Sequence, residues 1–314
     1  MDSLVARLLA GVFILALGGC AVPMQTRDLL SSADQTQHRV ELAQVPFFAQ
    51  EDYQCGPAAL AMALQYAGVK VDPAALKPEV YLPEKHGSLQ VEMLAAARRQ
   101  GVVAYQLPPR LGVVLAEVAD GNPVIVLQNL ALSWYPIWHY SVVIGYDIDH
   151  AEIILRSGSE ERQVMPMATF EHTWARSGYW AMEALAPEKI PPGAEELSYV
   201  SAVSALEKNG HSERARTAYL AALKRWPGNL LAQIGVGNTA YRMHDYAMAE
   251  AAFRQAVQDH PQSVAALNNL AQTLVDLGRY EEALPYARRA VAEGGQLKDT
   301  ARATLDEIER RLHK

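Results

Sequence analysis

The sequence predicts an α+β domain with a mostly antiparallel sheet, followed by an all-α repeat array. Three observations carry this. Up to about residue 186 the chain shows helix-like stretches first and strand-like stretches afterwards. A charged, proline-rich stretch, "APEKIPPGAEE" (186–196), closes that half. Beyond it strand signals stop, and an alanine-rich pattern recurs every 34 residues. With 314 residues, half of them hydrophobic, the chain can bury a sizeable core. A net charge of −7 and the lack of a basic tract argue against nucleic acid as a partner.

Residues 1–20 read as a signal peptide: Arg7 in a short n-region, the apolar run "LLAGVFILAL", then "GGC". The run is too short for a comfortable membrane span. Leu17-Gly18-Gly19-Cys20 resembles the bacterial lipobox. That implies a lipidated Cys20, a membrane anchor in the bacterial cell envelope and, with Ala21 next, the outer membrane facing the periplasm. An ordinary secreted protein with a chance cysteine is the alternative. Residues 21–40 are polar and weakly periodic, so a tether is expected there. The α+β domain is set at 41–186. Within it, helices are expected over 56–67 (stopped by Gly68), over 88–100 with Ser88 as cap, and over 111–121. Strands are expected at 102–107, 123–128, 139–147, 151–156 and 162–167, with a hairpin turn from Asp147 to His150. Residues 187–195 read as a linker.

From residue 196 onward, Pro227 and Pro261 share the 34-residue step with Ala215, Ala249 and Ala283, and with Ala222, Ala256 and Ala290. Tyr219 and Phe253 match, with Ala287 in the third copy. Small residues at helix crossings, a nearby aromatic and a closing proline resemble tetratricopeptide repeats. The copies are 196–229, 230–263 and 264–297, with 298–314 as a polar capping helix. The third lacks the closing proline, since Gly295 stands there.

The chemistry centres on "EDYQCGPAAL" (51–60). Cys55 is one of two cysteines, and a lipidated Cys20 would leave it unpaired in an oxidising compartment. It opens a helix, whose N-terminal N–H groups and dipole lower a thiol pKa. A buried, inert cysteine is the bland alternative. A thiolate needs a basic partner. Of nine histidines, His139 alone heads a long apolar strand, "HYSVVIGYD". Acyl transfer also needs oxyanion donors, and the Cys55 N–H and the amides of Gln50 and Gln54 are available.

"VPFFAQEDYQCGPAALAMAL" followed by "HYSVVIGYD" resembles the papain-like cysteine peptidases of the double-glycine leader peptidase family, over roughly residues 45–185. The resemblance implies Cys55 as nucleophile, His139 as general base and acid, and Gln50 as oxyanion donor. Gln50 lies one residue closer to the cysteine than the pattern implies, so Gln54 stays open. That family usually places an aspartate at the end of the strand following the histidine strand. Here the strand reads "EIILRSGS", and the position falls near Ser157, beside Arg156. Either the site is a Cys–His dyad, or Ser157 or a carbonyl orients the ring. Asp147 and Asp149 lie too far along the hairpin.

Three functions are compatible. The first is a cysteine peptidase acting on a peptide or protein, with a protein partner or the substrate on the repeats. The second is a papain-like scaffold lipoprotein of weak or absent catalysis. The third is an amidase on peptidoglycan stem peptides. No metal or cofactor is implied, since no zinc-spaced Cys/His cluster is present. "LSWYPIW" before His139 could line a substrate cleft, although core packing is the expectation for most of Trp134, Trp138, Trp174 and Trp180.

Overall fold

The computed structural model describes residues 22–32, 37–50, 54–85 and 87–313. The signal segment and Cys20 lie outside the described residues. Among the described residues no helix is long and apolar enough to cross a membrane.

Among the described residues the first elements are α1 Met24–Ser31, β1 Arg39–Glu41, α2 Cys55–Tyr66, α3 Pro73–Val80, β2 Tyr81–Leu82, β3 Gly87–Ser88 and α4 Gln90–Arg99. Then come β4 Val103–Gln106, α5 Leu111–Ala119, β5 Val124–Asn129, β6 Trp138–Asp147, β7 Glu152–Ser157, β8 Glu160–Pro166, α6 Met167–Ala175 and β9 Ala181–Leu185. Seven strands form one antiparallel sheet in the order β4-β9-β5-β6-β7-β8, with β1 also on β6. The start of β6 pairs with β5 and its end with β1, while β7 runs along its other side.

Helices cover both faces of this sheet, so β5 is buried throughout and shows no polar alternation. Val142 and Ile144 of β6 join the core under α2 and α4. Val143, one residue out of phase, joins the core under α5, α6 and the first repeat helix.

Several elements depart from the sequence expectation. The expected tether contains α1, fastened to the domain. Thr26 donates its N–H and hydroxyl to Glu171 Oε2, each at 2.6 Å, and Gln25 Oε1 accepts the Leu111 N–H at 2.6 Å. Helix α3 was unanticipated, although Asp72 caps it by accepting the Ala75 N–H at 2.8 Å and Pro73 fits its first turn. Ser88 belongs to β3 rather than capping α4, whose cap position is Leu89. Helix α6 and strand β9 were also unanticipated.

The repeat half is α7 Glu196–Lys208, α8 Ser212–Arg225, α9 Leu230–Arg242, α10 Tyr246–Asp259, α11 Val264–Asp276, α12 Tyr280–Glu293 and α13 Lys298–Leu312. All six alanines of the two repeating columns are fully buried. Glycines do the same job in α9: a Cβ at Gly235 would stand 2.3 Å from the Tyr219 ring, and one at Gly237 2.3 Å from Phe253.

The expected linker is a pinned strap. Glu117 Oε1 on α5 accepts the Gly193 N–H at 2.8 Å. Arg225 donates to the carbonyls of Pro191 and Pro192 at 2.7 and 2.8 Å. One apolar core continues from the sheet through α7 into α8 and α9. Its aromatic rungs are Tyr105–Tyr199 at 6.0 Å and Tyr199–Trp226 at 5.9 Å. Beneath the strap lie two buried carboxyls. Burial pushes Glu117 up to about 7 and Glu183 of β9 well above the usual range, both Glu183 oxygens lacking a hydrogen-bond partner among the described residues.

Candidate active site

Cys55 is the first residue of α2, and Gln54 is its cap residue. Pro57 falls in the first turn, where its missing N–H costs no intrahelical bond. Gly56 is required by a close approach, since a Cβ there would stand 2.3 Å from Ser88 Oγ. The helix start is thus pressed against β3. Three backbone N–H groups surround the Cys55 sulfur, those of Tyr140, Gly56 and Cys55 itself. Tyr140 is the residue after His139 on β6, so the thiol sits against the strand that carries the histidine.

Burial dominates the electrostatics. It pushes the Cys55 thiol above its ordinary value, and the three N–H groups pull it only part of the way back. Burial also pushes the His139 imidazole down. Both shifts keep the proton on sulfur and the ring neutral. The thiol acidified by its helix start, expected from sequence, is therefore reversed. A helix dipole contributes about 0.3–1 kcal/mol at an exposed end, and here desolvation outweighs it.

Gln50 reaches the same strand residue. Its Nε2 donates to the Tyr140 carbonyl at 3.2 Å. Its Oε1 accepts the Gly158 N–H at 3.0 Å, and its own N–H donates to the Gly158 carbonyl at 2.9 Å. The side chain is held at both ends, and among the described residues one amide hydrogen has no partner. Gln54 contributes its carbonyl to the Ala58 N–H at 3.2 Å, and its side chain makes no capping bond.

His139 Nε2 lies 3.0 Å from Ser157 Oγ at the end of β7. Ser157 Oγ also lies 3.3 Å from Ser141 Oγ. Arg156 turns away and holds the approach to Gln50, donating to the carbonyls of Val45 and Ala43. Asp147 sits eight residues along β6 from His139, about 26 Å at strand rise, and pairs there with His150 at 3.0 Å. Asp149 lies 2.8 Å from His38. Neither can orient the ring. Among the described residues no cluster of three or more His, Cys, Asp or Glu could hold a metal ion.

The tryptophans divide. Trp174 and Trp180 are buried, but Trp134 is 80 % exposed and Trp138 about half exposed, with Leu132, Tyr135 and Ile137 also bare. The core expectation fails for the loop because its side chains face outward while its backbone is stapled from within. Asn129 Oδ1 accepts the N–H groups of Ala131 and Ile137 at 3.1 and 3.0 Å. Arg176 donates to the carbonyls of Asn129 and Ala131. The result is an ordered, uncharged wall leading directly into His139.

Residues 42–182 match the Peptidase_C39 like family, and residues 201–242 and 235–297 match the tetratricopeptide repeat. No curated protein matches the chain. Among solved structures, a C39-like peptidase from Bacillus anthracis is 22 % identical, with a TM-score of 0.39, covering 48 % of this chain and 98 % of that one. The TPR2B domain of yeast Sti1, solved as a complex with pHsp70, is 14 % identical with a TM-score of 0.36, covering 38 % of this chain and 99 % of that one. YrrB, described as a TPR protein with an unusual peptide-binding site, is 24 % identical with a TM-score of 0.34, covering 37 % and 65 %.

Proposed function

We propose that this chain, a Peptidase_C39-like domain joined to tetratricopeptide repeats, is a cysteine peptidase held at the bacterial envelope by a lipid on Cys20. Cys55 is the nucleophile, His139 the general base and then acid, and Gln50 the oxyanion donor with the Cys55 N–H. The observation that supports this most is the convergence on residues 139–140 of β6. The thiol lies beside the Tyr140 N–H, the Gln50 amide on the Tyr140 carbonyl, and the His139 ring against Ser157.

The shifts suit a neutral resting pair. As sulfur attacks the peptide carbonyl, its proton passes to His139, and the oxyanion takes the Cys55 N–H and the free Gln50 amide hydrogen. The imidazolium then protonates the leaving amine. A water, deprotonated by the same ring, releases the acyl group from sulfur. The exposed wall at 130–138 gives apolar substrate side chains a place to rest, and the repeats hold a protein partner or a distant part of the substrate.

Turnover of a peptide library by the purified full chain tests the reading. Cys55→Ala and His139→Ala should each abolish cleavage. Cleavage that survives Cys55→Ala refutes the assignment. Cys20→Ser should abolish lipid labelling, and unchanged labelling refutes the anchor. A second reading, a scaffold of weak catalysis, is favoured by the neutral pair and by Ser157 in place of a carboxylate. Correctly folded wild-type protein that cleaves nothing and whose thiol shows no response to His139→Ala supports it.

A further inference from the structure

We infer that Gln128 is a positioning residue for His139, acting through Ser141 and Ser157 as a neutral hydrogen-bond relay that fixes the proton on Nε2 of the ring. Gln128 lies on β5, in register with His139 on β6. It is 1 % exposed and Ser141 0 %, so water cannot compete for their hydrogen bonds.

The direction of the relay follows from its far end. Thr173 on α6 lies with its hydroxyl 2.9 Å from the Phe170 carbonyl and 3.1 Å from that of Thr169. Carbonyl oxygens only accept, so the Thr173 proton is committed there. Thr173 Oγ1 must then accept from Gln128, at 2.7 Å, which turns the amide nitrogen of Gln128 towards α6. The second hydrogen of that nitrogen faces Met165 sulfur at 3.8 Å. Gln128 Oε1 is thereby turned towards Ser141, which donates to it at 2.9 Å. Ser141 has spent its proton, so at 3.3 Å it accepts from Ser157. Ser157 has then spent its own and, at 3.0 Å, accepts from His139 Nε2. Nδ1 is left unprotonated and is the nitrogen able to take the thiol proton.

A carboxylate at the Ser157 position would fix the same tautomer and also stabilise the imidazolium. This relay orients the ring without adding charge, in keeping with the neutral pair at the site. The catalytic part of the inference rests on the peptidase reading, whereas the tautomer does not.

The test is therefore nitrogen NMR of the ¹⁵N-histidine-labelled full chain, beside peptide kinetics. The wild type should show His139 as the Nε2–H tautomer. Gln128→Leu and Ser141→Ala should each give a mixture of tautomers and lower kcat by about tenfold, with KM changed less than about twofold, because ring orientation and not substrate binding is lost. Gln128→Glu keeps an acceptor for Ser141 and should restore the tautomer. Ser141→Ala removes a single oxygen, so it reports even if Gln128→Leu fails to fold. An Nδ1–H tautomer in the wild type overturns the relay, as does an unchanged tautomer in Ser141→Ala. If no peptide is cleaved at all, the peptidase reading fails while the NMR still decides the relay.

Discussion

Glu117→Gln should raise stability at about pH 8 and leave it nearly unchanged at about pH 5, with the sign set by proton linkage. Glu117 is buried under the strap and its carboxyl is pushed from 4.5 to about 7. Between those values the folded chain holds a proton that the unfolded chain has released. Stability from this group is therefore full below about pH 4.5, falls as pH rises towards 7, and stays low above it. The span corresponds to about 3 kcal/mol, at about 1.4 kcal/mol per tenfold. Glutamine cannot ionise and keeps an oxygen for the Gly193 N–H, now at 2.8 Å. Its amide would meet the Asn122 Nδ2 group, which now faces Glu117 Oε2 at 3.5 Å, and a mismatched pair there takes back about 1 kcal/mol. The expected gain at the higher pH is thus about 2 kcal/mol. Glu183, also pushed up by burial and by Glu117, is present in both chains. Urea unfolding of both chains at the two pH values, followed by circular dichroism, measures the difference. A wild-type-to-variant difference that is the same at both pH values refutes the buried, proton-holding carboxyl.

Three further outcomes are expected. Gln50→Ala should lower peptide turnover on the order of 10²-fold, and more if the Gly158 turn shifts, while the pH profile of Cys55 alkylation stays put; a profile that moves with it shows a structural loss only. Alkylation of Cys55 in the wild type should rise only above the ordinary thiol range of about 8.5, because burial keeps the proton on sulfur; rapid alkylation at neutral pH contradicts the neutral pair. Gly235→Ala should destabilise by about 1–3 kcal/mol by forcing a methyl into the Tyr219 ring, whereas Gly121→Ala tests backbone strain alone, since nothing stands within 4 Å of its Cβ position; equal losses in the two refute the tight helix crossing.

The repeats were legible because their constraint is periodic: the same alanines recur wherever helices cross, and each proves buried. Helix α2 and strand β6 were legible through Gly56-Pro57 and the run after His139. What escaped were elements whose signal is local or tertiary. Helix α6 looks polar because Glu171 and Thr173 point inward, one to α1 and the other to Gln128. Helix α1 looks like tether because its fastening depends on Glu171, 145 residues away from Thr26. Ser157 could be located by position against a family pattern, but Ser141 and Gln128 could not. Nothing in a β-strand sequence distinguishes a serine that carries a hydrogen bond onward from one that merely fits. The thiol's shift runs against the sequence expectation for a similar reason: a helix start is visible in sequence, whereas the depth at which it is buried is not.

On the proposed function, the core that runs unbroken from the sheet into α7, α8 and α9 makes the chain a gauge. A domain on a slack cord would let its binding array swing and would accept a cut at any convenient bond. Here the Tyr105–Tyr199–Trp226 ladder and the pinned strap remove that swing. A polypeptide gripped by the array and cut at Cys55 must bridge one constant interval. Its own slack between the gripped part and the scissile bond then sets how often that bond visits the thiol, falling off when the slack is too short or too long. Such a chain would choose its cleavage site by distance as much as by the side chains at the bond.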